Sequence, residues 1–234
     1  MTSPAHDAEL LKASTERLLN AAAKLDPATL SEPSQLPGWT RGHVLAHLAR
    51  NADALVNVLA GRPMYASAEA RESDIERDAP RAPDVQLDDL RTGAERLDAA
   101  FAEEDGESWQ RTVELRNGVT DLAASLPFRR WIEIELHHVD LGIGYTLEDL
   151  PGAFVDRELE NMAKRFSRHP GIPEAIELRA EDGRVLHTGA APGTAPGGQV
   201  IVSGSPTALV GWLTGRTTGS GLSARGSLPA LPAL

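Results

Sequence analysis

Residues 38–48 read GWTRGHVLAHL and begin the helix that decides the fold of this chain. Thr40 offers a side chain that can cap a helix N-terminus. Apolar residues then recur at intervals of three and four positions as far as Leu59, after which a glycine and a proline end the pattern. The stretch predicts a helix over residues 40–59 whose apolar face must be buried against other helices.

Three further stretches have the same helical periodicity. They are residues 5–25, 84–101 and 122–145. A polar connector (61–83) and a charged loop (103–117) separate the second, third and fourth helices. Four helices of this length predict a helical bundle.

The pattern changes after Pro151, where short strand-like runs replace long helices. A helix (156–167) is followed by two predicted strands (175–180 and 184–188) joined by an Asp-Gly turn, a third strand (199–203), a helix (206–213) and a loose tail of about a dozen residues. We therefore predict an α+β protein with a helical domain over residues 1–150 and a smaller α/β domain over residues 151–234.

The composition limits the classes of partner. The net charge of −11 disfavours nucleic acids and anionic membranes, because both are polyanions. The sequence has no cysteine, which excludes disulfides, cysteine-based zinc sites and a thiol nucleophile of its own. No apolar run is long enough to span a bilayer, and residues 1–10 lack the apolar core of a signal peptide. We expect a cytoplasmic monomer that acts on a small molecule.

Two segments carry side chains with metal-binding chemistry: residues 38–48 and the helical stretch 131–141, WIEIELHHVDL. Glu133 and His137 are four residues apart and therefore lie on one face of a helix. His47 also lies among apolar residues. Burying such groups singly is costly, and a shared cation offsets that cost. Two imidazoles and a carboxylate suit zinc and leave one coordination position open.

The spacing alone is also compatible with histidines that are hydrogen-bonded core residues and bind no metal, and it leaves other ligand sets open. His43 and His47 could be the paired ligands, or His138 could replace His137. Because neighbouring helical residues are about 100° apart, at most one of His137 and His138 faces the site squarely.

Two further residues have two interpretations each. Asp140 could orient an imidazole by accepting its N–H, or could be a surface acid. Arg216 follows the predicted helix 206–213, where a cation interacts favourably with the helix dipole. Its planar guanidinium could instead bind a substrate carboxylate.

These segments resemble the mycothiol-dependent maleylpyruvate isomerases, a family of the DinB-like metalloenzyme superfamily. The matching stretches are residues 38–52, Pro63-Met64-Tyr65, Glu69-Ala70-Arg71, residues 133–142, Val202-Ser203-Gly204-Ser205 and Gly215-Arg216. The resemblance implies a DinB-like four-helix bundle that binds zinc through His47, Glu133 and His137. It also implies a catalytic arginine at Arg216. His138 is an additional imidazole that we do not expect the family to require.

The resemblance further implies a reaction, the isomerisation of maleylpyruvate to fumarylpyruvate in aromatic catabolism. The substrate is a cis-olefinic dicarboxylate, and its double bond can rotate only after a nucleophile has added to it. The chain has no cysteine, so the thiol must arrive as a cofactor, mycothiol. Zinc would ionise the sulfur, and Arg216 would hold a substrate carboxylate.

Three other functions are compatible with the sequence. A DinB-type transferase that attaches mycothiol to another electrophile would use the same ligands. A metal-dependent hydrolase would activate water and would need no thiol. A ligand carrier with the bundle as its scaffold would hold no stoichiometric ion.

Overall fold

The computed structural model describes residues 3–191 and 193–232. The chain divides into two compact units, residues 1–145 and 146–234. In the part of the chain so described, no helix has both the length and the apolar character needed to cross a membrane.

The first unit is a helical bundle. Its helices are α1 (Pro4–Ala22), α2 (Pro27–Ser31), α3 (Arg41–Leu59), α4 (Ala68–Asp78), α5 (Pro83–Ala102) and α6 (Leu126–Asp140). Helices α1 and α3 each pack against both α5 and α6. The core between them contains fully buried side chains such as Leu18, Leu48, Leu90 and Ile134. Each contributes about 1.5–3 kcal/mol by leaving water.

Helix α4 lies within the stretch that the sequence predicts as a connector, so that prediction was wrong for residues 68–78. Its sequence, AEARESDIERD, has one buried apolar residue, Ile75, and therefore lacks an apolar stripe. The Ser67 hydroxyl caps the helix by accepting from the Ala70 N–H at 3.1 Å. Gly42 of α3 allows the close approach, since a Cβ there would lie 2.3 Å from the Ala79 carbonyl oxygen.

The predicted charged loop contains the strand β1 (Thr112–Glu114), which forms a small antiparallel hairpin with β2 (Thr120–Leu122), just after that loop. The Arg111 guanidinium fixes its base by donating to the Leu59 carbonyl oxygen at 2.9 Å and to the Glu104 carboxylate at 2.7 Å. These bonds join the hairpin to the end of α3.

Helix α6 is shorter than the predicted helix over residues 122–145. Pro127 occupies its first turn, where the missing N–H costs no hydrogen bond. Gly142, with φ of 63°, follows its end. A proline and a left-handed glycine thus set both limits.

The second unit is a four-stranded sheet with two helices. It contains α7 (Gly152–Arg165), β3 (Ala175–Ala180), β4 (Val185–Gly189), β5 (Gln199–Gly204), α8 (Pro206–Leu213) and β6 (Ser223–Arg225). The strand order is β4-β3-β5-β6, with β3 and β5 parallel and the other pairs antiparallel. Helix α8 packs against α7 and against β3 and β5. The predicted α+β class, a four-helix bundle followed by a smaller α/β part, is confirmed.

The prediction of a loose tail was wrong for residues 223–225. They form β6, which pairs with β5 so that Ser223 lies opposite Ser203. The strand has three exposed residues and no alternating pattern, so only its pairing reveals it.

Candidate metal centre

Helix α3 presents His47 to the bundle interior, where the residue is 6% exposed. The Thr40 hydroxyl caps the helix and accepts from the His43 N–H at 3.4 Å. The ring of Trp39 packs against the His47 ring with centroids 5.5 Å apart.

Helix α6 brings Glu133 and His137 to the same place. Glu133 Oε2 lies 2.9 Å from His47 Nε2 and 3.2 Å from His137 Nε2. The potential ligand atoms of all three residues lie within 4.8 Å of one another. The structure therefore brings together the three side chains that the resemblance singled out.

Neighbouring polar groups determine which ring nitrogens of the two imidazoles carry a proton. Asp140 Oδ2 lies 2.8 Å from His137 Nδ1 and accepts its proton. His137 Nε2 donates to Glu133 while the ring is protonated, and it has a lone pair once that proton leaves. Arg71 Nη2 lies 3.1 Å from His47 Nδ1. Because arginine can only donate, His47 carries its proton on Nε2, facing Glu133.

The pKa values in the cluster reflect the same contacts. Burial would raise the pKa of the Glu133 carboxyl, but hydrogen bonds from His137 and His47 outweigh it and hold that pKa well below its ordinary value. Burial would lower the pKa of His137, but its hydrogen bonds to Asp140 and Glu133 raise it. For His47 burial prevails, and its pKa is lowered. The cluster is thus built around an ionised carboxylate.

The alternative ligands have other roles. His43 Nδ1 lies 2.7 Å from the Thr40 hydroxyl, in the capping box of α3, and His43 Nε2 lies 3.3 Å from Glu76. The ring of His138 stacks on Tyr145 with centroids 3.8 Å apart. Neither histidine belongs to the group of three.

Arg130 is a residue that the sequence reasoning missed. It lies one turn before Glu133 and is 1% exposed. Its Nη1 donates to the Leu48 carbonyl oxygen and to Asn51 Oδ1, both at 2.8 Å. Burial lowers its pKa to about 10, and the charge of Glu133 opposes that shift. A charged residue at an interior position of α6 was the available signal, since arginine is seldom fully buried without a partner.

Arg216 follows α8 in the second unit. Its Nη1 donates to the Thr214 carbonyl oxygen at 2.8 Å, and its backbone N–H donates to Gly211. Its charge also acts on the buried Glu158 of α7.

The donor set suits a divalent transition metal, and so do the two distances from the carboxylate to the imidazoles. Around a tetrahedral ion with bonds of about 2.0–2.1 Å, neighbouring ligand atoms are roughly 3.3 Å apart. The two distances from Glu133 Oε2, 2.9 and 3.2 Å, are close to that value. Two imidazoles with one carboxylate are donors that zinc accepts.

Comparison with known proteins identifies the family of this chain. A family model described as the mycothiol maleylpyruvate isomerase N-terminal domain matches residues 11–142, more than half of the chain. The chain belongs to that family. The resemblance predicted from the sequence is confirmed, and the protein is an enzyme of the mycothiol-dependent maleylpyruvate isomerase family. A second family model, for the C-terminal domain of the same enzymes, matches residues 149–233.

Solved structures agree with this assignment. A crystal structure of the mycothiol-dependent maleylpyruvate isomerase is 30% identical, with a TM-score of 0.87, and the match covers 100% of both chains. A histidine-to-alanine mutant of an enzyme with the same name is 28% identical, with the same TM-score and full coverage of both chains. No curated protein sequence matched the chain.

Proposed function

We propose that this protein is a zinc- and mycothiol-dependent isomerase that converts maleylpyruvate to fumarylpyruvate. The convergence of His47, Glu133 and His137 carries the proposal, because an ion held there with an open position could bind and ionise an external thiol. The absence of cysteine agrees with a thiol supplied from outside. We place the reaction in the cytoplasm, where thiols stay reduced.

The reaction requires the double bond to become single for a time. A carbon–sulfur bond forms while the π electrons move towards the substrate carbonyl oxygen, the carbon chain rotates, and the electrons return as the sulfur leaves. When bound, zinc would keep the thiol of mycothiol ionised at neutral pH, so that it serves as both nucleophile and leaving group.

The residues of the chain have distinct parts in this proposal. His47, Glu133 and His137 would hold the ion, and Asp140 keeps the Nδ1 proton of His137 in place so that Nε2 faces inward. Arg216 would bind a substrate carboxylate and stabilise the negative charge that develops on oxygen.

The test is an ultraviolet assay with maleylpyruvate on protein of known metal content, with and without mycothiol. We expect turnover only when both zinc and mycothiol are present. Turnover without a thiol would favour a hydrolase or another mechanism. Accumulation of a stable thioether would identify a mycothiol transferase instead.

A further inference from the structure

The first unit contains a cavity of about 550 Å³ that the metal cluster does not occupy. It lies between the end of α3, the connector that follows it and the β1–β2 hairpin. Its volume is within the range of small-molecule sites, roughly 300–1,000 Å³.

The lining combines an apolar floor with polar groups of mixed character. Val58, Val113 and Leu115 are buried and contribute the apolar part. The polar part includes Thr112 and Asn117, whose side chains can both donate and accept hydrogen bonds. Such a mixture suits a polyhydroxylated ligand, since each hydroxyl group donates and accepts.

The cationic side chains that line the cavity outnumber the anionic one, with Arg62, Arg111 and Arg116 against Glu114. Arg111 is paired with Glu104, and Arg62 donates to Asn57 Oδ1 at 2.9 Å. The guanidinium N–H groups are hydrogen-bond donors, and the hydroxyl oxygens of a polyhydroxylated ligand can accept from them.

Two side chains connect the cavity to the metal cluster. Tyr65 lines the cavity, and the Arg71 guanidinium lies 5.8 Å from the centre of its ring. The same guanidinium lies 3.1 Å from His47 Nδ1. A ligand in the cavity is therefore close enough to the cluster for a short arm to extend towards it.

We propose that this cavity binds the sugar part of mycothiol, a glucosamine joined to inositol, while the cysteinyl arm extends past Tyr65 towards His47. The inference rests on the proposed function, because that function makes mycothiol the cofactor. The bonds from Arg111 to Leu59 and Glu104 hold the hairpin wall in place, so the site exists before the ligand arrives.

The direct test uses a thiol-free sugar, N-acetylglucosaminyl-inositol, as a probe of the purified protein by titration calorimetry or ligand-observed NMR. Its nitrogen is an uncharged amide, as it is in mycothiol. This probe has no sulfur, so its binding does not depend on the metal. We expect wild-type protein to bind it. The variant Thr112→Trp, which fills the cavity from β1, should weaken binding at least tenfold and raise the KM for mycothiol by a similar factor. The KM for maleylpyruvate should change less than twofold.

A second variant and a control accompany this test. Asn117→Gly removes a polar side chain while keeping the backbone, because glycine readily adopts the φ of 61° found there, and should weaken probe binding at least threefold. Thr92→Trp, at an exposed position of α5 that does not line the cavity, should bind as wild type does.

The possible outcomes separate the two proposals. Turnover with mycothiol but no binding of the sugar, or unchanged binding in Thr112→Trp, would overturn the cavity assignment and leave the proposed isomerase intact. Sugar binding that Thr112→Trp abolishes, in a protein without isomerase activity, would support the cavity and refute the isomerase.

Discussion

Arg130 Nη1 donates a 2.8 Å hydrogen bond to the carbonyl oxygen of Leu48 and thereby joins the two helices that carry the cluster. Leu48 follows His47 on α3, and Arg130 lies three residues before Glu133 on α6. The same nitrogen also donates to Asn51, which lies one turn after His47. This contact joins the two ligand-bearing helices beside the cluster, and we expect it to help fix their spacing.

Replacing Arg130 with methionine should loosen that spacing. We expect Arg130→Met to bind zinc about tenfold more weakly, which is the usual effect of changing a residue that orients metal ligands. Arg130→Lys should recover part of this lost affinity. The matched control is Arg17→Met, which removes the 2.7 Å ion pair between α1 and Glu135 on the same helix. Competition with a chromogenic chelator measures both, and equal losses in the two variants would refute a role in spacing.

The ligand assignment predicts a sharp contrast between histidines of α3. His47→Asn, Glu133→Gln and His137→Asn should each purify without stoichiometric metal. His43→Asn should keep its metal and lose about 1 kcal/mol of stability, because His43 completes the cap of α3 and contacts Glu76 rather than the cluster. Elemental analysis and thermal unfolding measure the two effects. Metal loss in His43→Asn would show that the ligand set is wrong.

Arg71 should oppose metal binding. Its hydrogen bond to His47 Nδ1 keeps the proton on Nε2, so an ion at Nε2 requires that proton to move and Arg71 to turn away. We expect Arg71→Leu to bind zinc about three- to tenfold more tightly, the equivalent of one hydrogen bond. Arg91→Leu, at an exposed position of α5, is the control. Weaker binding in Arg71→Leu would contradict this tautomer assignment.

Arg216→Ala should retain its metal and lose at least about a hundredfold in turnover, the usual effect of removing a group that stabilises developing negative charge. Arg216→Lys should recover only part of the activity, because lysine lacks the planar fork. Arg225→Ala, at an exposed position of β6, should have wild-type kinetics. Full activity in Arg216→Ala would remove this residue from the mechanism.

Glu158 predicts a pH dependence of stability. Burial raises its pKa to about 7, although Asn161 donates to it at 3.0 Å. The folded protein therefore retains a proton that the unfolded chain releases above its ordinary pKa. Between about pH 4.5 and 7 this group lowers the free energy of unfolding as pH rises, by about 1–3 kcal/mol in total.

The variant Glu158→Gln should be more stable than the wild type at pH 8, and its free energy of unfolding should change less with pH. Denaturant unfolding at several pH values measures this, and parallel profiles for the two proteins would contradict it.

The sequence by itself determined the long helices, because each has an apolar stripe that only burial can satisfy. It also determined that Glu133 and His137 share a face, since their four-residue separation fixes this in any α-helix. Helix α4 and strand β6 have no such stripe, and their stability comes from neighbouring elements: Gly42 and Ala79 for the helix, Ser203 for the strand.

Only the tertiary structure decided which imidazoles converge. His43 and His47 lie one turn apart on α3, so sequence spacing does not distinguish them as ligands. His43 forms the helix cap with Thr40, whereas the packing of α3 on α6 brings His47 next to Glu133. Distances between helices depend on contacts such as Arg130 with Leu48, which join residues far apart in sequence. A local pattern determines the face on which a side chain lies, whereas its partner depends on how the faces pack.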